Sequence, residues 1–348
     1  MNKEKVTIQD IAHALGLSRN TVSKALNGHK SIPEATRSKV IEKAISLKYR
    51  HYALMDTKNL TQKRNCNIAL ITHHMPYANH FGNALLNELE RKISAEGFTL
   101  SIYVVRDTEI DSLIFPNNFD EKKVDGIICI ELFNKKYTEL ICKLNLPTIL
   151  IDCVYDISFT ELNADIILME NEHSTYALTK KLIADGHTNI GFIGDFKHCK
   201  SFNERWLGYN RALFECKLQL DLSSCILEDD DKYPYNDYIW IAEQIEKMKV
   251  LPSAFICAND FIAVTVMQAL KHKGIEVPNE VSICGFDNAL ESRIIDPQLT
   301  TVHIYRKEMG LMAAEMLLSR LENPSKPFQI TYVKTDPIFR ESTASYIK

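Results

Sequence analysis

Apolar residues in the first fifty positions recur every three or four residues, which is the period of an amphipathic helix. Three such stripes are present: Ile8, Ile11, Ala12 and Leu15; Val22, Ala25 and Leu26; and Val40, Ile41, Ala44, Ile45 and Leu47. Thr7 and Ser18 stand where the first two helices need N-caps, and Gly16 can end the first helix in a left-handed conformation. The pattern predicts a helix, a short turn, a second helix and a bracing helix, which together form a helix-turn-helix domain.

From residue 67 onward the pattern changes to short apolar runs separated by amphipathic stretches. The runs, at 67–71, 99–105, 124–130, 147–152, 189–195, 253–258 and 281–287, are typical of buried parallel strands. This alternation predicts a doubly wound α/β body, and its length is enough for two lobes. We therefore expect a headpiece at 1–50, a hinge linker at 51–66 and a two-lobed domain at 67–348.

Charge is distributed unevenly along the chain. Residues 1–64 carry 13 Lys and Arg against 5 Asp and Glu, although the whole chain has a net charge of −4. A basic head on an acidic body indicates that the head binds a polyanion. The 9 cysteines include no CxxC pair, which is typical of reduced thiols. No apolar run approaches the length of a membrane span and the first residues do not resemble a secretion signal, so we expect a cytoplasmic protein with no membrane partner.

The segment VTIQDIAHALGLSRNTVSKALNG, at 6–28, resembles the headpiece of the LacI/GalR family of bacterial transcription regulators. The segments DGHTNIGFIGD, CANDFIAVTVMQAL and FRESTA resemble its effector domain, which is similar to periplasmic sugar-binding proteins. The resemblance covers nearly the whole chain. It implies an all-α helix-turn-helix domain followed by a two-lobed, doubly wound α/β domain like that of periplasmic binding proteins. It also implies a homodimer that binds a near-palindromic DNA operator.

The resemblance places Arg19, Asn20 and Lys24 in the major groove of DNA. Arginine can pair bidentately with guanine and asparagine with adenine, whereas lysine donates to guanine as a point charge. Family members usually carry arginine at the position of Lys24, so the base that it reads stays open. The small donors expected to contact DNA phosphates are Thr7, Ser18, Thr21, Ser23 and Asn27. For each of these residues the alternative is a solvated helix face.

The linker YRHYALMDTKNLTQKRN departs from the family pattern. In the family, a leucine of this segment enters the minor groove and kinks the DNA. Here His51 replaces a proline, and Lys58 falls at the position of the wedge. Leu54 or Leu60 could serve instead, and we favour Leu60 because a two-residue insertion would bring it into place. A flexible tether without a wedge is the alternative.

Six residues match the ligand contacts of the family by position: Asn79, Phe81, Asp152, Arg205, Asn259 and Asp287. Carboxylates and amides bind hydroxyl pairs, arginine binds two adjacent oxygens, and an aromatic ring covers the apolar face of a sugar. We therefore expect the effector to be a sugar or a sugar derivative. As alternatives, Asn259 and Asp287 could cap helices, and Arg205 could pair with a surface carboxylate. The segment ANHFG replaces the family's SNPFF, which leaves the identity of the ligand open.

Catalytic motifs are absent from the sequence. It contains no GxGxxG after the first strand, no GxxxxGK[ST] and no GxSxG. His73, His74 and His80 do not have the spacing of a zinc site. We expect no enzyme activity, no cofactor and no metal.

The sequence thus predicts a sequence-specific DNA-binding regulator, a repressor, whose operator binding changes allosterically when a small molecule binds between the lobes. The alternatives are control by a protein co-effector or a nucleobase, or a non-regulatory sugar-binding module. The apolar stripe Ala84, Leu85, Leu89 and Ile93 of a helix at 82–96 is a candidate dimer surface, with packing into the core as the alternative.

Overall fold

The structure is a computed structural model that describes residues 6–26, 32–47, 49, 65–74 and 80–346. Four of these, Glu34, His80, Phe81 and Glu161, are described by their backbone alone. The chain divides into two compact units, Met1–Asn65 and Cys66–Lys348, and each is described by itself.

The first unit is helical, as its apolar stripes predict. Its described helices are α1 (Ile8–Leu15), α2 (Arg19–Leu26) and α3 (Glu34–Ser46). Ile11, Val22 and Val40, one from each helix, are fully buried against one another. Gly16 ends α1 in the left-handed conformation, at φ 65°. The helix-turn-helix prediction is confirmed.

The first lobe of the second unit contains a six-stranded parallel sheet. Its strands, in spatial order, are β10 (Ile330–Val333), β5 (Asp165–Met169), β4 (Thr148–Ile151), β3 (Gly126–Ile130), β1 (Asn67–Thr72) and β2 (Thr99–Val104). Successive strand residues face opposite sides of the sheet. One side packs against α4 (His80–Ala95) and α12 (Arg306–Glu322), and the other against α5 (Asp107–Ser112) and α6 (Lys135–Cys142).

The second lobe has a three-stranded parallel sheet, in the order β6 (Ile190–Ile193), β7 (Ala254–Cys257) and β8 (Ser282–Cys284). An antiparallel pair, β9 (Thr301–His303) and β11 (Asp336–Ile338), extends it beyond β8. Its helices are α7 (Glu172–Ala184), α8 (Lys200–Glu215), α9 (Tyr238–Glu246), α10 (Asp260–His272) and α11 (Glu291–Ile294). The prediction of a two-lobed, doubly wound α/β body is confirmed.

Within 80–346 the chain passes from one lobe to the other three times, at 170–171, 304–305 and 334–335. As a result α12 and β10, which come late in the chain, complete the first lobe. Among the described residues, the seven strands expected from apolar runs are present, together with four strands that were not expected. Three of these, β9, β10 and β11, are only three or four residues long and lack a continuous apolar run.

The stripe on α4 is a core surface and not a dimer surface. Leu85, Leu89 and Ile93 are completely buried, and α4 packs along α12. The two helices approach so closely that a Cβ atom at Gly310 would overlap the carbonyl oxygen of Leu85. The alternative in which this stripe packs into the core is therefore confirmed. In the described residues no helix combines the length and the apolar character that a membrane span requires.

Candidate functional site

The residues expected to read DNA bases all lie on α2. Val22 and Ala25 bury one side of this helix in the headpiece core. Arg19 and Asn20 lie in its first turn and are exposed, and Lys24 follows one turn later and is half-buried. Exposed forked and amide side chains at a helix N-terminus are the arrangement used to reach base edges in the major groove.

Three of the expected phosphate contacts also stabilise helix starts. The hydroxyl and the backbone N–H of Thr7 both donate to Asp10 Oδ2, at 2.7 Å. Ser18 Oγ accepts the backbone N–H of Thr21 at 3.0 Å and lies 2.8 Å from the Thr21 hydroxyl. Ser23 is half-buried on α2.

Several expected site residues cannot be placed. Asn27, Leu54, Leu60 and Asn79 lie outside the described residues, and Phe81 is described by its backbone alone, in the first turn of α4. The base-reading residues and the remaining four effector residues all have described positions.

A large cleft separates the two lobes. Its volume is about 1420 Å³, and it lies beyond the carboxyl ends of strands from both sheets, which is where open α/β sheets bind ligands. The structure brings four of the six expected effector residues to this one cavity: Asp152, Arg205, Asn259 and Asp287.

Arg205, on α8, lies at the base of the cleft and is 3% exposed. Its Nε donates to Asn171 Oδ1 at 3.0 Å, and its Nη1 donates to the carbonyl oxygen of Ala258 at 2.6 Å. Its Nη2 lies 3.6 Å from Asp287 Oδ1, and its guanidinium stacks on Phe286 with 3.7 Å to the ring centroid. The alternative in which Arg205 pairs with a surface carboxylate is therefore wrong.

Asp152 and Asp287 both adopt left-handed backbone conformations, with φ of 62° and 118°. Such conformations are costly for residues other than glycine and are concentrated at functional sites. Burial raises the pKa of both carboxyl groups above the ordinary value. Neighbouring Arg205 and Arg306 limit the rise at Asp287, and the backbone N–H of Cys153 donates to Asp152 Oδ1 at 2.7 Å.

The capping alternatives for the two remaining residues have different outcomes. Asn259 caps α10, since its Oδ1 accepts the backbone N–H of Ile262 at 2.9 Å. Asp287 does not cap α11, which begins at Glu291. Instead, the carboxylate of Asp260 reaches across and accepts the backbone N–H of Ala289 at 2.8 Å. Asn259 thus combines a structural role with a position on the cleft wall.

Sequence reasoning missed Glu131 and the aromatic residues beside the cleft. Glu131 directly follows β3 and also has a left-handed backbone, at φ 50°. The rule that ligands bind beyond strand ends could have identified it. Phe133 of the first lobe meets His198 of the second edge to face, with 4.9 Å between the ring centroids. Phe202 also lines the cleft, and its ring centroid lies 5.2 Å from that of His198.

A buried polar network joins the base of the cleft to the first lobe. Asn171, in the first crossing segment, accepts from Arg205 and donates to Glu204 Oε2 at 3.0 Å. The hydroxyl of Tyr332, on β10, donates to Glu204 Oε1 at 2.7 Å. Burial raises the pKa of Glu204, and its hydrogen bonds with Tyr332 and Asn171 act in the opposite direction. No pattern in the sequence indicates this network.

Comparison with known proteins gives matches over both units. Residues 7–51 match the family model described as "Bacterial regulatory proteins, lacI family", and residues 179–343 match the "Periplasmic binding protein-like domain". The HTH-type transcriptional repressor PurR of Vibrio atlanticus is 30% identical over 319 residues, which cover 91% of this chain and 92% of that protein. The chain belongs to the LacI family of bacterial regulatory proteins. This LacI-family protein is a DNA-binding transcription regulator and not an enzyme, as the sequence predicts.

Two further matches extend over nearly the whole LacI-family chain. The ribose operon repressor of Haemophilus influenzae is 27% identical, with 97% of this chain and 99% of that protein covered. A crystal structure of the lac repressor dimer bound to operator and the anti-inducer ONPF superimposes with a TM-score of 0.67 at 20% identity, covering 98% of this chain and all of that one. The structural match shows a common fold.

Proposed function

We propose that this protein is a cytoplasmic repressor whose homodimer binds a near-palindromic operator and responds to a sugar or sugar derivative held between the lobes. The observation that carries the proposal is the convergence of Asp152, Arg205, Asn259 and Asp287 on one interlobe cavity. We assign the domains the boundaries expected from the sequence, with a headpiece at 1–50, a linker at 51–66 and the effector domain at 67–348.

The chemistry of the cleft suits a polyol. Asp152 and Asp287 supply acceptors for hydroxyl groups, and Asn259 supplies an amide. The guanidinium of Arg205 is held by Asn171 through Nε and by Ala258 through Nη1. Its Nη2 lies 3.5 Å from Met169 Sδ and 3.6 Å from Asp287 Oδ1. A ligand hydroxyl there would meet a donor and an acceptor that are already oriented, so little side-chain entropy would be lost on binding.

DNA recognition is assigned to the exposed end of α2. Arg19 and Asn20 would read bases, and Lys24 would add a donor one turn later. Thr7, Ser18, Thr21, Ser23 and Asn27 would contact the phosphates. Leu60, or else Leu54, would enter the minor groove from the linker.

The dimer surface proposed here replaces the buried stripe on α4. Phe261 on α10 and Leu290 and Ile294 at α11 are 59%, 59% and 72% exposed, and the two helices are in contact. We assign Leu290, Ile294 and Phe261, which also lines the cleft, to one apolar surface, because exposed apolar patches mark protein–protein interfaces. The structure of the lac repressor, which is a dimer, supports a second copy of this chain as their partner.

The DNA-binding part of the proposal can be tested by selecting binding sites from a random duplex library. We expect the wild-type protein to enrich one near-palindromic site. Arg19→Ala should weaken binding to that site by about 1–3 kcal/mol and relax the preference at one base pair. An equal loss on random DNA would show that Arg19 contacts only phosphate, and failure to enrich any site would overturn the proposal.

The effector part can be tested by thermal unfolding against sugars, nucleosides and purines. A ligand at one hundred times its Kd stabilises the folded state by about 2.7 kcal/mol. We expect Asp287→Asn to remove the response while operator binding without ligand is kept. A ligand whose affinity is unchanged by Asp287→Asn would place the effector outside this cleft.

A further inference from the structure

We propose that the effector carries a protonated amino group, which binds between Glu131 of the first lobe and Asp287 of the second, and that its chemical class is an amino sugar. This inference rests on the proposed function, because it assumes that the interlobe cleft is the effector site. Beyond the proposed function, it specifies a positive charge on the ligand and names Glu131 as the residue that recognises this charge.

The cleft is strongly acidic on both faces. Within the described residues it is lined by eleven carboxylates: Asp107, Asp111, Glu131, Asp152, Asp195, Asp229, Asp230, Asp231, Asp260, Asp287 and Glu291. Only three lysine or arginine residues line it: Lys197, Arg205 and Arg306. A phosphorylated or carboxylated ligand would enter against this field, whereas a cation would be attracted by it.

The arginines in the cleft are engaged with protein groups. Arg205 donates to Asn171 and Ala258 and faces Asp287. Arg306 donates to the backbone carbonyl of Asp287, so both guanidinium groups act on that one residue. Neither is directed to Glu131 by any described contact.

Glu131 is a partly buried carboxyl group of the cleft that neither arginine reaches by a described contact. It is partly buried and has no hydrogen bond or ion pair among the described residues. The groups that influence it electrostatically are His198 and Asp287, which both belong to the opposite lobe. Burial raises the pKa of Glu131, His198 lowers it, and Asp287 raises it further. An ammonium group of the ligand would supply donors to this carboxyl group and would favour its ionised form.

The position of Glu131 also gives the ligand a means of closing the lobes. Glu131 and Asp287 line the cleft from opposite lobes, and when both are ionised their like charges oppose closure. An ammonium group between them would replace this repulsion with two attractions. Phe133 and Phe202 line the same cavity, and aromatic rings beside a carboxylate favour an organic ammonium over a hydrated metal ion.

The test uses full-length protein and thermal unfolding, with glucosamine, galactosamine and mannosamine as probes. Each is compared at equal ionic strength with its neutral parent sugar, its N-acetyl derivative and the 6-phosphate of the parent. We expect at least one amine to raise the Tm, and to bind about tenfold or more tightly than its matched neutral forms.

Two variants assign the effect to its residue. Glu131→Gln keeps the shape of the side chain and should lower the affinity for the amine by about tenfold to a hundredfold. Glu121→Gln, which removes an exposed charge of the same lobe outside the cleft, should leave that affinity unchanged. An amine that binds both variants equally would overturn the role of Glu131.

The remaining outcomes separate this inference from the proposed function. Preferred binding of a neutral or phosphorylated sugar, or of a purine, that depends on Asp287 would overturn the amino-sugar assignment and leave the proposed function standing. No response to any amine would also overturn the assignment. The proposed function itself fails only if no operator is enriched, or if the effector is insensitive to Asp287→Asn.

Discussion

The buried ion pair between Asp165 and Arg320 allows a prediction whose size follows from the structure. Asp165 begins β5 and Arg320 lies near the end of α12, and both side chains are 3% exposed. Arg320 Nε donates to Asp165 Oδ2 at 2.9 Å and its Nη2 to Oδ1 at 2.8 Å. This bidentate pair connects α12 to the six-stranded sheet, close to the segment that leads from α12 to β10.

Arg320→Met retains most of the volume of the side chain but leaves the carboxylate of Asp165 buried without a cation. Removing one partner of a buried pair costs about 3–5 kcal/mol, because the remaining charge is no longer compensated. Arg320 also donates to the carbonyl oxygens of Pro327 and Lys326, which would lose their donor. Among the described residues, only the backbone N–H of Gln329 would still donate to the carboxylate of Asp165. We therefore expect a loss near the upper end of this range.

The matched control is Arg211→Met. Arg211 on α8 pairs with Glu215 of the same helix and with Glu172 of α7, and these side chains are 42%, 39% and 38% exposed. Such pairs contribute about 0–1 kcal/mol, because water screens them. Both substitutions replace an arginine that pairs with a carboxylate by methionine, one at a buried position and the other on the surface.

Urea unfolding measures the free energy of unfolding for both variants. Far-UV circular dichroism reports on both lobes, and the fluorescence of Trp206 and Trp240 reports on the second lobe alone. A cost for Arg320→Met no larger than that for Arg211→Met would refute the reasoning. The double variant Asp165→Leu/Arg320→Met should recover part of the loss, because it removes the unpaired charge. No recovery would show that the lost packing and backbone hydrogen bonds dominate.

Three further predictions concern packing, pH and salt. In Gly208→Ala, the new Cβ would overlap the carbonyl oxygen of Glu172 and force α7 and α8 apart. The free energy of unfolding, measured in urea, should therefore fall by about 1–3 kcal/mol. An unchanged free energy of unfolding would contradict this prediction. Burial lowers the pKa of His198, but the hydrogen bond and charge of Asp230 outweigh it and raise the pKa overall. Asp230→Asn should therefore lower the pKa of His198, measured by NMR titration. Because the pKa of His198 is raised in the folded state, the stabilisation by this pair is present at acidic pH and disappears as pH rises through that pKa. Asp230→Asn should therefore cost stability below that pKa and little above it. A stability loss of equal size below and above that pKa would refute the assignment. Operator affinity should fall linearly with salt on logarithmic scales, since bound phosphates release counterions; a flat response would exclude the basic headpiece as the DNA contact.

The headpiece is the part of the fold that local sequence determines most fully. Its stripes are built from contacts between residues close in sequence, and Ile11, Val22 and Val40 are buried as their spacing predicts. The left-handed Gly16 and the bonds between Thr7 and Asp10 are also local. Helical periodicity and capping chemistry are sufficient for such a unit.

The late elements of the effector domain are a different case. β10 pairs with β5 although about half its residues are exposed, and β9 and β11 are three residues each. These strands are held by partners more than 30 residues away, so no local pattern marks them. Similarly, the stripe on α4 has the composition of either an interface or a core. Only the position of α12, more than 200 residues later, decides that it is core.

The same contrast applies to the cleft. Asp152, Arg205, Asn259 and Asp287 were identified by motif and brought together by the fold. Glu131 was missed because an acidic residue after an apolar run also fits a solvated strand end. Glu131 is distinguished by its position opposite a carboxyl group of the other lobe. That position exists only after both lobes have formed.

The network at the base of the cleft indicates where the energy of ligand binding can change the relation between the lobes. Arg205 lines the interlobe cleft and donates to Asn171, which lies in the first crossing segment. Asn171 also holds Glu204, whose other oxygen accepts from Tyr332 on the first lobe. A ligand oxygen that binds Arg205 would compete with Asn171 and Ala258 for its N–H groups. A shift of Asn171 would alter its hydrogen bond to Glu204, whose carboxylate also accepts from Tyr332 of the first lobe. Allosteric coupling of about 1–3 kcal/mol is of the same order as one such charged hydrogen bond. The rearrangement of a single bond in this network is therefore large enough to account for an effector response.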